Sequence, residues 1–213
     1  MASPCASLER HMKLYYMVGS CSLASHIALY ESGIAFETAA VDHKTRKTSD
    51  GLAFIEVNSK GYVPALRLDD GQLLTENVAV LLYIADRRPT TRLAPAEGTL
   101  DRYRLIEWLA FINSEIHKNF GPLFNPAASE EIKQYTLGNL AKRLDWLNSA
   151  LGSKVLLAGD AFTVADAYLF TVLRWPGRIG IELAKWPNLK RYHAELATRP
   201  SVVAAMKAEG LSK

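Results

Sequence analysis

Cys21 is the residue in this chain best placed for nucleophilic chemistry. It stands at the end of Lys13-Leu14-Tyr15-Tyr16-Met17-Val18-Gly19-Ser20, where a β-rich run meets Gly-Ser and then a helical pattern. The first N–H groups of a helix have no intrahelical acceptor and the helix dipole is positive there, so a cysteine in the first turn is stabilised as thiolate. The alternative is a small buried hydrophobe, the commoner fate of a free cysteine. The only other cysteine is Cys5, so no disulfide framework and no Cys-x-x-Cys pair exists. A mixed disulfide at Cys21 therefore needs its second thiol from solution.

A second pair, His117 and Lys118, lies on a long helical segment. His117 falls about one hundred degrees around the helix from Ile116, beside an apolar ridge of Trp108, Ile112, Ile116 and Phe120. On sequence alone this pair reads more readily as a solvated polar face than as part of a site. Thr163 and Asp166 also invite a catalytic reading, but their spacing ahead of an apolar run is that of a capping box. The five histidines are dispersed without metal-ligand spacing, and Gly-x-Gly-x-x-Gly, phosphate-loop and His-Glu-x-x-His patterns are absent. No metal site is expected.

The 213 residues, 49% hydrophobic and 22% charged, have ordinary globular composition. A net charge of +3 with scattered Lys and Arg gives no footprint for nucleic acid and suits a small anionic ligand. No run of 18 apolar residues predicts a membrane span, and residues 1–11 lack a signal-peptide core, so a cytoplasmic location is expected. Met12-Lys13-Leu14 reads as a natural start, so residues 1–11 are expected to be an upstream extension or a remnant of cloning.

Residues 12–87 must position Cys21, and their pattern alternates. A strand over Lys13–Met17 precedes a helix over Ser22–Ser32 that stops at Gly33. Phe36–Val41 reads as a second strand, His43–Ser49 as loop and Leu52–Glu56 as a short helix. Two apolar runs around Asp69-Asp70-Gly71 predict a hairpin, and Thr75 is the expected N-cap of a helix from Glu76 to Asp86. The order β-α-β-α-β-β-α demands a mixed sheet. Pro64 either opens a strand or forms a cis bond in a tight turn. Residues 88–98, with two prolines and a glycine, read as a linker. Residues 99–213 read as all helical, with long segments over Thr99–Phe120 and Ser129–Leu151 and further helix starts at Pro187 and Pro200.

A domain of that order resembles the glutathione S-transferases, and specifically their bacterial beta class. The resemblance rests on Gly19-Ser20-Cys21-Ser22-Leu23-Ala24-Ser25-His26-Ile27, Gly61-Tyr62-Val63-Pro64-Ala65-Leu66, Leu68-Asp69-Asp70-Gly71, Leu74-Thr75-Glu76, Glu107-Trp108-Leu109 and Glu115-Ile116-His117-Lys118. It covers Met12 to the C-terminus. It implies a thioredoxin-like N-terminal domain with a mixed four-stranded sheet, an all-α C-terminal domain and a homodimer. Glutathione is the implied co-substrate, with no other cofactor, and a small hydrophobic electrophile is the second substrate.

The resemblance also implies roles. Pro64 is cis and the backbone of Val63 pairs with the cysteinyl part of glutathione. Glu76 and Asn77 hold its γ-glutamyl end at a helix N-terminus. Cys21, Ser22 and His117 surround the sulfur, and Lys118 adds positive charge near the tripeptide. Of Lys44, Arg46 and Lys47, Arg46 is the expected basic contact by position. Two departures stand out: Asn77 where the class has Gly or Ser, and Ala110 where an Asn often follows Trp-Leu. Trp175 and Phe124 are candidates for the electrophile pocket. The rival readings are a glutathione-dependent thiol-disulfide oxidoreductase or dehalogenase with Cys21 as nucleophile, and a non-catalytic ligand-binding protein.

Overall fold

The computed structural model describes residues 11–211, so Cys5 and most of the 1–11 extension lie outside the described residues. Strand β1 (Met12–Tyr16) leads through helix α1 (Ser22–Ser32) to β2 (Phe36–Ala40), parallel to β1 with Met12 opposite Phe36. A right-handed crossover is how such a unit closes. A short helix α2 (Phe54–Val57) precedes the hairpin β3 (Ala65–Arg67) and β4 (Leu73–Thr75). β3 runs antiparallel to both β1 and β4, giving the order β2-β1-β3-β4 and the mixed sheet that the sequence pattern demands. Gly71 sits at φ 87° in the hairpin turn, a conformation open to glycine at little cost.

Helix α3 (Asn77–Arg87) follows, and its start corrects the expected cap. Thr75 is the last residue of β4, and the N-cap is Glu76, held at φ 70°. The sheet's hydrogen bonds claim Thr75 before the helix begins. The second half is helical throughout: α4 (Leu100–Phe111), a π-helical turn over Ile112–His117, α5 (Phe120–Phe124), α6 (Glu130–Leu151), α7 (Val164–Leu173), α8 (Pro187–Leu196) and α9 (Pro200–Ala208). Thr99 and Ser129 cap α4 and α6 by accepting from Arg102 N and Ile132 N.

The predicted ridge on α4 is displaced. Leu105, Leu109, Ile112, Ile116 and Phe120 are the buried set, while Trp108 is half-buried against Phe111 and Trp146. Asp166 is structural as expected: fully buried, it accepts from Thr163 N and Oγ1, Leu157 N and the Tyr192 hydroxyl.

One apolar core runs through both halves, from Leu14 and Leu66 in the sheet to Leu105, Leu144 and Tyr168 in the helices. Helix α1 lies at its centre, packed on α3, α7 and α9, and is buried on nearly every face, from Ser22 to Leu29. A helix surrounded in this way buries polar residues as well, and Ser22, Ser25 and His26 each have a hydrogen-bond partner. Paired charges seal the edges, with Arg102 gripping Asp86 at 2.7 and 2.8 Å between α4 and α3.

Candidate active site

The turn between β1 and α1 presents the cysteine. Gly19 is at φ 68°, and Cys21 is the N-cap of α1 with helical dihedrals. Its half-buried Sγ donates to the Val63 carbonyl at 3.3 Å, next to the cis Val63-Pro64 bond. This alters the expectation of a thiolate. Burial pushes the Cys21 thiol up to about 12, more than the first amides of α1 pull it down, and the Glu76 charge pushes the same way. The thiol is neutral and a donor.

Ser22 closes the turn. Its buried Oγ accepts from Met17 N (3.1 Å), reaches Met17 O (3.3 Å) and meets Ser20 Oγ at 2.8 Å, which closes the turn that holds Cys21. In this structure the Ser22 hydroxyl is bonded to the Met17 backbone and to Ser20.

The turn is clamped from the far end of the chain. Glu209 Oε2 accepts from Gly19 N at 2.8 Å, and its Oε1 meets His26 Nδ1 at 3.0 Å in a pair shut off from solvent. Trp175 Nε1 donates to Gly19 O at 3.0 Å. Neither Glu209 nor this indole contact was legible in the sequence, since 190 and 156 residues separate the partners.

His117 comes to the same place through Trp175. Their ring centroids are 4.8 Å apart at 70°, and on its other side His117 meets Tyr168, ring to ring at 5.8 Å and Nδ1 to hydroxyl at 2.5 Å. Tyr168 in turn donates to Asn113 Oδ1 at 3.0 Å. Burial, with the Lys118 charge beside it, lowers His117 to about 4, so the imidazole is neutral at physiological pH. Burial pushes the Tyr168 phenol up from its ordinary value, and α7 packs on α1, the helix that Cys21 caps. Lys118 is exposed.

The remaining predicted residues flank Val63. Arg46, at φ 58°, sends its guanidinium to Gly61 O (2.6 Å) and Met17 Sδ (3.6 Å), so of the three basic candidates it reaches the 61–64 segment. Glu76 is exposed and paired with Lys60 at 2.6 Å. Asn77 is buried, accepts from Ser25 Oγ at 2.8 Å and leaves its Nδ2 without a bonding partner among the described residues. Phe124 is exposed and carries the Arg178 guanidinium 5.3 Å above its ring, whereas Trp175 is buried beneath it. A cavity of about 980 Å³ beside Asp86, Arg92, Arg104 and Trp108 is lined by none of these residues. Among the described residues no cluster of His, Cys, Asp and Glu has a metal-holding arrangement.

Comparison with known proteins decides what fold of site this is. Residues 10–86 match the family model for the glutathione S-transferase N-terminal domain and residues 111–200 that for the C-terminal domain. The chain belongs to the glutathione S-transferase family. Glutathione S-transferase GstA of Escherichia coli O157:H7 is 46% identical over 94% of this chain and 100% of its own. Among solved structures, the bacterial beta class glutathione S-transferase of Sphingomonas chungbukensis is 52% identical with a TM-score of 0.91, covering 94% of this chain and all of its own. A sphingomonad glutathione S-transferase complexed with glutathione is likewise 52% identical, with a TM-score of 0.90 and the same coverage. The beta-class motifs read from the sequence agree with these matches. The glutathione S-transferase reaction joins the thiol of glutathione to an electrophile.

Proposed function

We propose that this glutathione S-transferase binds glutathione along the Gly61–Pro64 segment and conjugates it to small apolar electrophiles. The observation that carries the reading is the convergence at Val63. Cys21 Sγ rests on its carbonyl, Arg46 is anchored two residues before it, and His117 stands one indole away from the turn that bears Cys21. An extended tripeptide pairs with the Val63 backbone as an added strand does. Its γ-glutamyl carboxylate meets the first amides of α3 behind Glu76, at the positive end of the helix dipole. Arg46 and the exposed Lys118 supply charge for its carboxylates. The sulfur then lies between the Cys21 thiol, which can donate to it, and neutral His117. The exposed face of Phe124, with Arg178 over it, receives the electrophile.

We place the boundary between the glutathione-binding and helical domains in residues 88–98. Exposed Tyr62, Leu100, Tyr103, Tyr135 and Trp146 supply apolar surface for a homodimer; light scattering at micromolar concentration is expected to give twice the 23.6 kDa chain mass. A free thiol co-substrate suits the cytoplasm.

A second activity is favoured by the free Cys21 thiol resting on Val63. Exchange with oxidised glutathione forms a Cys21–glutathione disulfide, with one glutathione thiolate as leaving group and the Cys21 proton going to solvent. The deciding experiment measures steady-state turnover of an aryl halide and of a hydroxyethyl mixed disulfide, with peptide mapping after oxidised glutathione. Aryl halide turnover with any adduct at Cys21 supports the transferase. Disulfide turnover alone assigns an oxidoreductase, and no turnover with retained glutathione binding assigns a ligand-binding protein.

A further inference from the structure

Tyr168 is fully buried in α7, and its hydroxyl joins two residues of the π-helical turn. A phenol has one hydrogen to give and an oxygen that accepts. The hydrogen goes to Asn113 Oδ1, an acceptor without hydrogens. Toward His117 the oxygen can then only accept, so the hydrogen in that contact sits on His117 Nδ1. The second ring nitrogen, Nε2, makes no hydrogen bond among the described residues.

We infer that Tyr168, with Asn113, is a positioning residue that fixes His117 as its Nδ1–H tautomer and leaves the Nε2 lone pair to take the proton of the glutathione thiol. The inference rests on the placement of the glutathione sulfur beside His117. The proton passes from sulfur to Nε2, which gives thiolate and imidazolium without moving the Nδ1 hydrogen. The imidazolium's two N–H groups then face Tyr168 Oη and the thiolate. When the electrophile is an aryl halide, sulfur–carbon bond formation expels halide and His117 returns its proton to solvent. The wider turn of the π helix is what brings both Asn113 and His117 to one hydroxyl, in keeping with the tendency of such turns to mark functional sites.

Long-range proton–nitrogen spectra of the free protein, labelled at histidine nitrogen, read the tautomer directly. His117 is expected as Nδ1–H, and an Nε2–H signal overturns the inference. Tyr168→Phe removes the acceptor while keeping the ring. The tautomer then redistributes toward Nε2–H, and kcat for aryl halide conjugation falls about tenfold or more with the KM for glutathione within about twofold. Unchanged tautomer and kcat overturn it. Should Tyr168→Phe fail to fold, Asn113→Asp at its exposed position keeps the acceptor and adds negative charge, so the acid limb of kcat/KM moves to higher pH; an unmoved limb counts against the relay. A wild-type protein without glutathione turnover sinks the proposed function, while its tautomer spectrum still decides the relay.

Discussion

The cysteine turn and the His117 turn have opposite relations to their local sequence. Cys21 sits where helix geometry favours a thiolate, yet it is held as a neutral thiol because burial outweighs the first amides of α1. His117 lies mid-helix in a pattern that reads as a solvated polar face, yet it is wedged between Tyr168 and Trp175 and held neutral as well. Local dipoles contribute on the order of 1 kcal/mol, whereas a change of several pKa units from burial is worth several kcal/mol. Burial wins in both places. The charge that glutathione must acquire on binding has therefore not been spent on either protein group beforehand.

The sharpest break of this comparison is a pair of substitutions. His117→Ala is expected to lower kcat/KM for aryl halide conjugation by about a hundredfold or more, the range for loss of a proton acceptor. Cys21→Ala should lower it by less than about tenfold while abolishing disulfide exchange, because only a protein sulfur forms the mixed disulfide. If the order reverses, Cys21 is the nucleophile and the dehalogenase or oxidoreductase reading replaces the conjugating one.

A somewhat smaller effect tests the thiol itself. With Cys21 pushed up to about 12, the thiolate is scarce at neutral pH, and its greater intrinsic reactivity recovers only part of the loss. Alkylation of Cys21 by iodoacetamide, followed by peptide mapping, should run about a hundredfold slower than that of free cysteine at pH 7. A rate equal to or above that of free cysteine would restore the thiolate.

The smallest effect is on acid stability, and it concerns His117 together with His193, which burial and the nearby Arg174 also lower to about 4. In the unfolded chain both titrate near 6.5, so below that pH the unfolded state binds protons that the folded state refuses. Their contribution is intact above about pH 6.5 and drains away as the pH falls toward 4. Urea unfolding should record a loss on the order of 4 kcal/mol between pH 7 and pH 5, about half from each histidine, and His117→Gln should flatten that slope. A slope unchanged by the substitution means that His117 is charged in the native protein.

Much of the fold was legible because its signals are local. Gly33, Asp70-Gly71, Pro187 and Pro200 are punctuation marks whose conformational demands act on their own neighbours. Of the candidate site, the geometry that was legible lies on such marks: Cys21 at the start of α1 and Pro64 ahead of β3. The rest was illegible where long-range contact decides. Tyr168 is one apolar-helix residue among many until α7 brings it to His117, and Ser22 looked available until Met17 claimed its hydroxyl. Asn113 gave no signal, since the π turn that lends it a role is not written in an apolar period of four.

Glu209 gives the site an order in time. The amide of Gly19 and the imidazole of His26 leave the ribosome early, but the carboxylate that both require lies just beyond α9, 190 residues after Gly19. Until that residue arrives, the Gly19 amide and the His26 imidazole lack the carboxylate that ties the cysteine turn to the end of the chain. Synthesis can finish the sheet long before it finishes the catalyst, and a half-made chain is kept from presenting an assembled glutathione site.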